Sequence, residues 1–208
     1  AAVRAARAVY ASAMSRRALR RVAQADAQGL RVLPIDEPQA FVVGLVRPEL
    51  FVTRGLLAES HRAHLEPVLE HERAHLRRSD SARRLLAFVA LPFHLPLVAT
   101  WLERQLVRAH EMAADSEAAA ALNSPERVAM ALVHLARARR EHLPRFALAF
   151  GETDIEARVA SLLDPRFRKN GPTATAIYCG AVILVVTVGA AADSVHHSVE
   201  HLLGLLGG

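Results

Sequence analysis

The chain has 208 residues, enough for one ordinary domain with a real core and a small appendage. Its formal charge of +5 is carried by arginine, Lys169 being the only lysine, and its single cysteine, Cys179, excludes an intrachain disulfide and any multi-cysteine metal site. With no zinc-finger, homeodomain or RNA-binding signature, the basic balance points away from direct nucleic-acid binding and toward an anionic membrane surface or the positive flanks of membrane segments.

The chain opens at Ala1 rather than at methionine, which suggests a cut from a longer protein. Arginines interrupt every apolar stretch of the opening, so it is no signal peptide. Residues 3 to about 27 read as a basic amphipathic helix ending near Gly29, its arginine face either solvated or laid on an anionic bilayer. From Leu30 the period changes. "LRVLPID" and "AFVVGLVRPELFVT" are β-rich, with turns at Glu37-Pro38 and Arg47-Pro48, and predict two or three short strands.

Helical patterning then returns. A helix starting at Ser60 or His61 takes in Pro67 and carries "EHERAHLRRSD". The apolar run from Leu85 to Leu102 is broken by Pro92, His94 and Pro96, so it reads as two short helices meeting at a bend, either dipping into the membrane face or, in preference, packed in the core or interfacially. "LVRAHEMAADSEAAAAL" is a further helix. "NSPERVAMALVHLARARR" begins another, with Ser124 as its cap and Pro125 as its first residue. "DIEARVASLLD" places Ile155, Val159 and Leu162 on one face. Residues 173–192 carry no charge over the roughly 20 residues that a bilayer-spanning helix needs, and Cys179 within them reads as a small apolar residue. Arg166, Arg168 and Lys169 precede this segment, and no lysine or arginine follows it. That asymmetry predicts a cytoplasmic N-terminal side and a C-terminus outside.

In a helix, residues i and i+4 stand on one face, so His71 and His75 can share a metal ion while Glu72 sits beside them to activate a water. Catalytic zinc wants a third protein ligand and an open position. Glu111 and Asp115, four apart on the later helix, supply a carboxylate ligand and an acceptor for the outer ring N–H of a ligand histidine, unless they are simply an acidic surface patch. His110 is the rival ligand, about 100° around the helix from Glu111. The other histidines, His61, His64, His134, His142, His196, His197 and His201, read as surface residues without a role.

The order "QAFVVGLVRPELFVTRGLL", "LEPVLEHERAHLRRSD", the proline-containing apolar run and "AHEMAAD" resembles the membrane-bound zinc metalloprotease domain of the BlaR/MecR-type antirepressor peptidases, the bacterial β-lactam sensor-transducers, over about residues 30–164. The resemblance implies His71, His75 and Glu111 as zinc ligands, Glu72 as general base and Asp115 as the aspartate behind a ligand histidine. It also likens the strands before the motif to an edge that aligns substrate. The chain departs from the pattern in two places. It has "FHLPLVATW" where an asparagine-proline step is usual, and only 16 residues follow the apolar segment, too few for a penicillin-binding sensor.

The reading is therefore a mainly helical α+β protein. A basic helix (1–29) precedes a zincin-like metalloprotease domain (30–164) with a short β-sheet before the HExxH helix, then a transmembrane helix (173–192) and a short outer tail (193–208). One Zn²⁺ per chain would serve peptide hydrolysis at the cytoplasmic face of a bacterial membrane. The partners implied are membrane lipid and a cytoplasmic protein substrate such as a winged-helix repressor, with homodimerisation left open. A membrane-protein quality-control protease is the alternative enzyme. A zinc-stabilised scaffold without turnover is the alternative of another class, and it leaves Glu72 unexplained.

Overall fold

The computed structural model describes residues 2–26, 29–58, 61–90, 96–142 and 152–164, and residues 173–192 lie outside them. The fold is mainly helical α+β with one small sheet. Helix α1 (Ala2–Val22) ends sooner than the sequence suggests, because Gln24–Ala25 leaves the helix to form β1, antiparallel to β2 (Arg31–Leu33). Asp26 and Gly29 make that reversal. The Asp26 carboxylate accepts from the Leu30 amide at 2.8 Å, and Gly29 takes a positive φ of 78°. Nor is the basic face of α1 wholly solvated or free for lipid. Arg16 and Arg20 pair with Glu49 at 2.7 and 3.3 Å, and Arg4 lies over the Phe88 ring at 4.7 Å.

Strands β3 (Ala40–Val43) and β4 (Glu49–Thr53) form a hairpin through the predicted Arg47-Pro48 turn. Strand β4 also runs parallel to β2, giving the order β1-β2-β4-β3 with β3 at an edge. Phe51, Val52 and Thr53, the last three residues of β4, are buried. Thr53 ends the sheet and starts α2 (Arg54–Leu57): its hydroxyl donates to the Glu37 carbonyl at 2.6 Å and accepts from the Gln39 and Leu56 amides. Gly55 must be glycine, since a Cβ there would meet the Asp36 carbonyl oxygen at 1.9 Å.

Helix α3 (Arg62–Arg78) lies against β3, β4, α5 and α6, as a buried helix carrying a functional motif must. Its core face joins Val68 and Leu69 to Val52, Leu56 and Ala131. Ser79 ends it in the left-handed region (φ 55°), its amide bonding back to His75 and Leu76 carbonyls. Helix α4 (Asp80–Ala90) starts at once.

Helix α5 (Pro96–Leu122) unites the second half of the apolar run and the Glu111–Asp115 stretch, which the sequence suggested were separate helices. Pro96 is its first residue, where a missing N–H costs nothing. The described parts of the apolar run are not core: Leu97 is 86 % exposed and Trp101 59 %, with Leu86 and Phe88 also exposed.

Helix α6 (Pro125–His142) is capped by Ser124 as expected, its hydroxyl accepting from the Arg127 amide at 3.4 Å. Helix α7 (Glu152–Leu163) closes the described fold, Val159 and Leu162 packing on Ala118, Val128 and Ala129. Among the described residues no helix is long and apolar enough to cross a membrane.

The close approach at Gly55 predicts that Gly55→Ala, which must displace the Asp36 carbonyl, lowers stability by roughly 1–3 kcal/mol, the usual cost of overpacking. Thermal unfolding monitored by circular dichroism checks this, and an unchanged melting temperature would contradict the packing described.

Candidate metal centre

Helices α3 and α5 build the site, and α7 completes it. His71 and His75 stand one helical turn apart on α3 and turn their Nε2 atoms toward each other, 3.2 Å apart. Glu111 on α5 meets both, Oε2 at 3.4 Å from His71 Nε2 and Oε1 at 3.6 Å from His75 Nε2. Among the described residues these three are the one group of histidine, cysteine and carboxylate side chains close enough to hold a metal ion, all ligand atoms lying within 4.8 Å of one another.

The spacing fits a tetrahedral ion. Ligands at about 2.0–2.2 Å from such a centre lie roughly 3.3–3.6 Å from one another, close to the three separations found. Two imidazole nitrogens and a carboxylate are also the donor set expected of a three-ligand catalytic site.

The ring nitrogens facing away from this centre each meet another carboxylate. His71 Nδ1 lies 2.8 Å from Asp115 Oδ1, the contact anticipated for Asp115. His75 Nδ1 lies 2.8 Å from Asp80 Oδ2, which the sequence did not suggest. With carboxylates at both Nδ1 positions, the neutral form of each ring keeps its proton at Nδ1 and leaves Nε2 the lone pair that a metal needs. His110, the rival ligand, is buried with its Nδ1 2.7 Å from Asp80 Oδ1, outside the ligand trio.

Arg158 on α7 is the other residue not anticipated. It grips Asp115 through Nε at 2.7 Å and Nη2 at 2.8 Å, and its Nη1 reaches Glu111 Oε2 at 3.2 Å. Glu72 is half-buried on α3, near enough that its charge helps hold the Arg158 guanidinium ionised.

The electrostatics follow from burying so many charges together. Burial alone would raise the Glu111 pKa, but the His71 contact and the Arg158 charge reverse this and hold it at about 2. Asp115 is likewise lowered despite burial, by Arg158 and His71, and Asp80 by His110 and His75. For His71 burial favours the neutral ring, yet the contacts to Asp115 and Glu111 outweigh it and raise the pKa to about 9.

The histidines set aside in the sequence do not all lie apart. His61 and His64 on or beside the start of α3 meet His134 on α6. His61 Nδ1 is 2.7 Å from His134 Nε2, and the His64 and His134 rings stack at 4.2 Å. Burial and the neighbouring His134 and His61 lower the His64 pKa. A spacing of three residues on α3 is the one hint of this cluster in the sequence. His142, His196, His197 and His201 carry no described side chain.

The profile of the BlaR1 peptidase M56 family matches residues 4–162, from α1 to α7 and well over half of the chain. No curated protein and no solved structure is a significant match. The chain belongs to the M56 peptidase family, whose members are membrane-associated metallopeptidases.

A pH dependence follows from His71. Its folded pKa, raised from 6.5 to about 9, means the folded metal-free protein binds the proton more tightly than the unfolded chain does. This contribution, of order 3 kcal/mol, is complete below pH 6.5 and is lost as pH rises through 9. Denaturant unfolding of chelator-treated protein at pH 6 and pH 9.5 measures it. His71→Ala should abolish that component of the slope, and an equal slope in both proteins would contradict the assignment.

Proposed function

We propose that this M56 family member is a zinc-dependent endopeptidase, with His71, His75 and Glu111 as ligands of one Zn²⁺ and Glu72 as general base. The observation that carries this reading is the convergence of His71 Nε2, His75 Nε2 and the Glu111 carboxylate, with Glu72 at the next position of α3. A zinc ion held there would supply Lewis acidity to an attacking water and to the scissile carbonyl.

The protein's own residues do the rest. Glu72 takes the proton from the attacking water and delivers it to the departing amide nitrogen. Asp115 orients the His71 ring, and Arg158 keeps Glu111 ionised as metal binding needs. Strand β3, hydrogen-bonded to β4 on one side and packed beside α3, supports a reading in which an extended substrate adds along the open edge of the sheet. A structural zinc site would have no use for Glu72, which favours turnover over a scaffold.

The substrate in this reading is a cytoplasmic protein, a winged-helix repressor being the candidate that the resemblance implies. Residues 173–192 would span the membrane, with Arg166, Arg168 and Lys169 holding the preceding domain in the cytoplasm. The exposed Leu97 and Trp101 at the start of α5 are compatible with a domain that rests against lipid.

Glu72→Gln tests the chemistry. The amide cannot accept the water's proton, so the variant should keep its fold and its zinc and lose cleavage of a candidate repressor or of itself. Full proteolysis by Glu72→Gln would remove Glu72 from the mechanism.

Topology is tested separately, in a Cys179→Ala background. A cysteine at Ser198 should react with a membrane-impermeant thiol reagent in intact cells. One at the exposed Ser116, on the helix that carries Glu111, should react only after lysis. The reverse pattern would place the metal centre outside and exclude cytoplasmic repressors.

A further inference from the structure

We propose that Asp80 and His110 form a positioning unit for the metal centre, in which Asp80 fixes the ring of His75 and His110 fixes Asp80. The proposal rests on the reading that His71, His75 and Glu111 hold zinc, and it assigns roles to two residues that the ligand pattern leaves out.

The local fold delivers Asp80 to this place. Ser79 closes α3 with a left-handed residue, and its carbonyl accepts from the Ala82 and Arg83 amides at 3.0 and 3.2 Å, so one residue both ends α3 and starts α4. The chain changes direction at Ser79, and Asp80, five residues after His75, reaches the His75 ring instead of continuing along the helix. Its carboxylate is 3 % exposed. Oδ2 takes His75 Nδ1 at 2.8 Å and Arg78 Nε at 3.3 Å. Oδ1 lies 2.7 Å from His110 Nδ1 and 3.7 Å from Arg83 Nη1.

A buried carboxylate held on both oxygens has little freedom to rotate. It therefore fixes the His75 ring plane and leaves the Nε2 lone pair aimed at Glu111 and His71. His110 has a second consequence. It adjoins Glu111 on α5, so the Asp80 bridge ties the α3 ligand His75 to the helix segment that presents the α5 ligand. His71 has Asp115 in the corresponding place, itself clamped by Arg158. Each ligand histidine thus has its own clamped aspartate, reached from different elements.

The experiment is a zinc titration of the full chain in detergent, stripped of metal and followed by competition with a chromophoric chelator. The visible spectrum of the Co²⁺-loaded protein is recorded alongside, since it reports ligand geometry rather than stability. Asp80→Ala should weaken Zn²⁺ binding by roughly ten- to a hundredfold. Asp80→Asn, which keeps one acceptor oxygen, should recover part of that loss, and each variant should alter the Co²⁺ spectrum. His110→Leu should weaken binding several-fold in the native background and add little to Asp80→Ala, because His110 acts through Asp80.

Asp80→Asn carries the test if Asp80→Ala does not fold. Native affinity together with a native Co²⁺ spectrum in Asp80→Asn overturns the proposal. So does a His110→Leu effect that adds in full to that of Asp80→Ala. A native chain that takes up no Zn²⁺ overturns the metal reading itself, and this inference with it.

Discussion

Everything about this site depends on giving each of two buried imidazoles an acceptor on the side away from the ligand pocket. A helical spacing of four residues puts His71 and His75 on one face, but it does not decide which ring nitrogen faces inward. Asp115 and Asp80 decide it, by occupying both Nδ1 positions at 2.8 Å. Each carboxylate then needs compensation of its own, because a buried unpaired charge is costly. Arg158 supplies it for Asp115, and His110 with Arg78 for Asp80. One requirement at two rings thus recruits residues from α3, the start of α4, α5 and α7.

The same coupling explains why the site's pKa values move in opposite directions. Glu111 and Asp80 stay ionised well below their ordinary range and Asp115 below it, whereas His71 holds its proton up to about 9. A cavity that concentrates carboxylate charge around one imidazole attracts whichever cation is available. Without metal that cation is the His71 proton, which a metal ion bound there near neutral pH would displace. The site is therefore electrostatically prepared for a cation before one arrives.

Much of the site could be read in the sequence because it is helical. His71, Glu72 and His75 follow from the period of α3, and Glu111 with Asp115 from the period of α5. Asp80, His110 and Arg158 could not be read in this way. Asp80 reaches His75 only because Ser79 adopts φ 55°, and serine gives no warning of a left-handed turn as glycine would. Arg158 lies more than forty residues beyond Asp115, and nothing local distinguishes it from the other arginines of a basic chain. In the fold, the hairpin and the Ser124 cap were visible as turn and cap chemistry. The two-residue β1 was hidden, since Gln24–Ala25 has no strand pattern of its own and pairs only because Asp26 and Gly29 turn the chain. The length of α5 was obscured by Pro96, which opens the helix although a proline amid an apolar run suggests a break.

The placement of Arg158 bears on what the family domain must contain. Without α7 the carboxylates of Glu111 and Asp115, at the two ring nitrogens of His71, would have no guanidinium between them. Like charges so close raise each other's pKa, and a protonated Glu111 is a poor ligand. The small residues that seat α7, Ala118 on α5 and Ala129 on α6 against Leu162, let the helix approach closely enough for the Arg158 side chain to span to both carboxylates. Two buried alanines that look like mere packing therefore help set the charge state of a candidate metal ligand. This packing also gives a physical reason for a family match that runs past Glu111, the last of the candidate ligands, to α7.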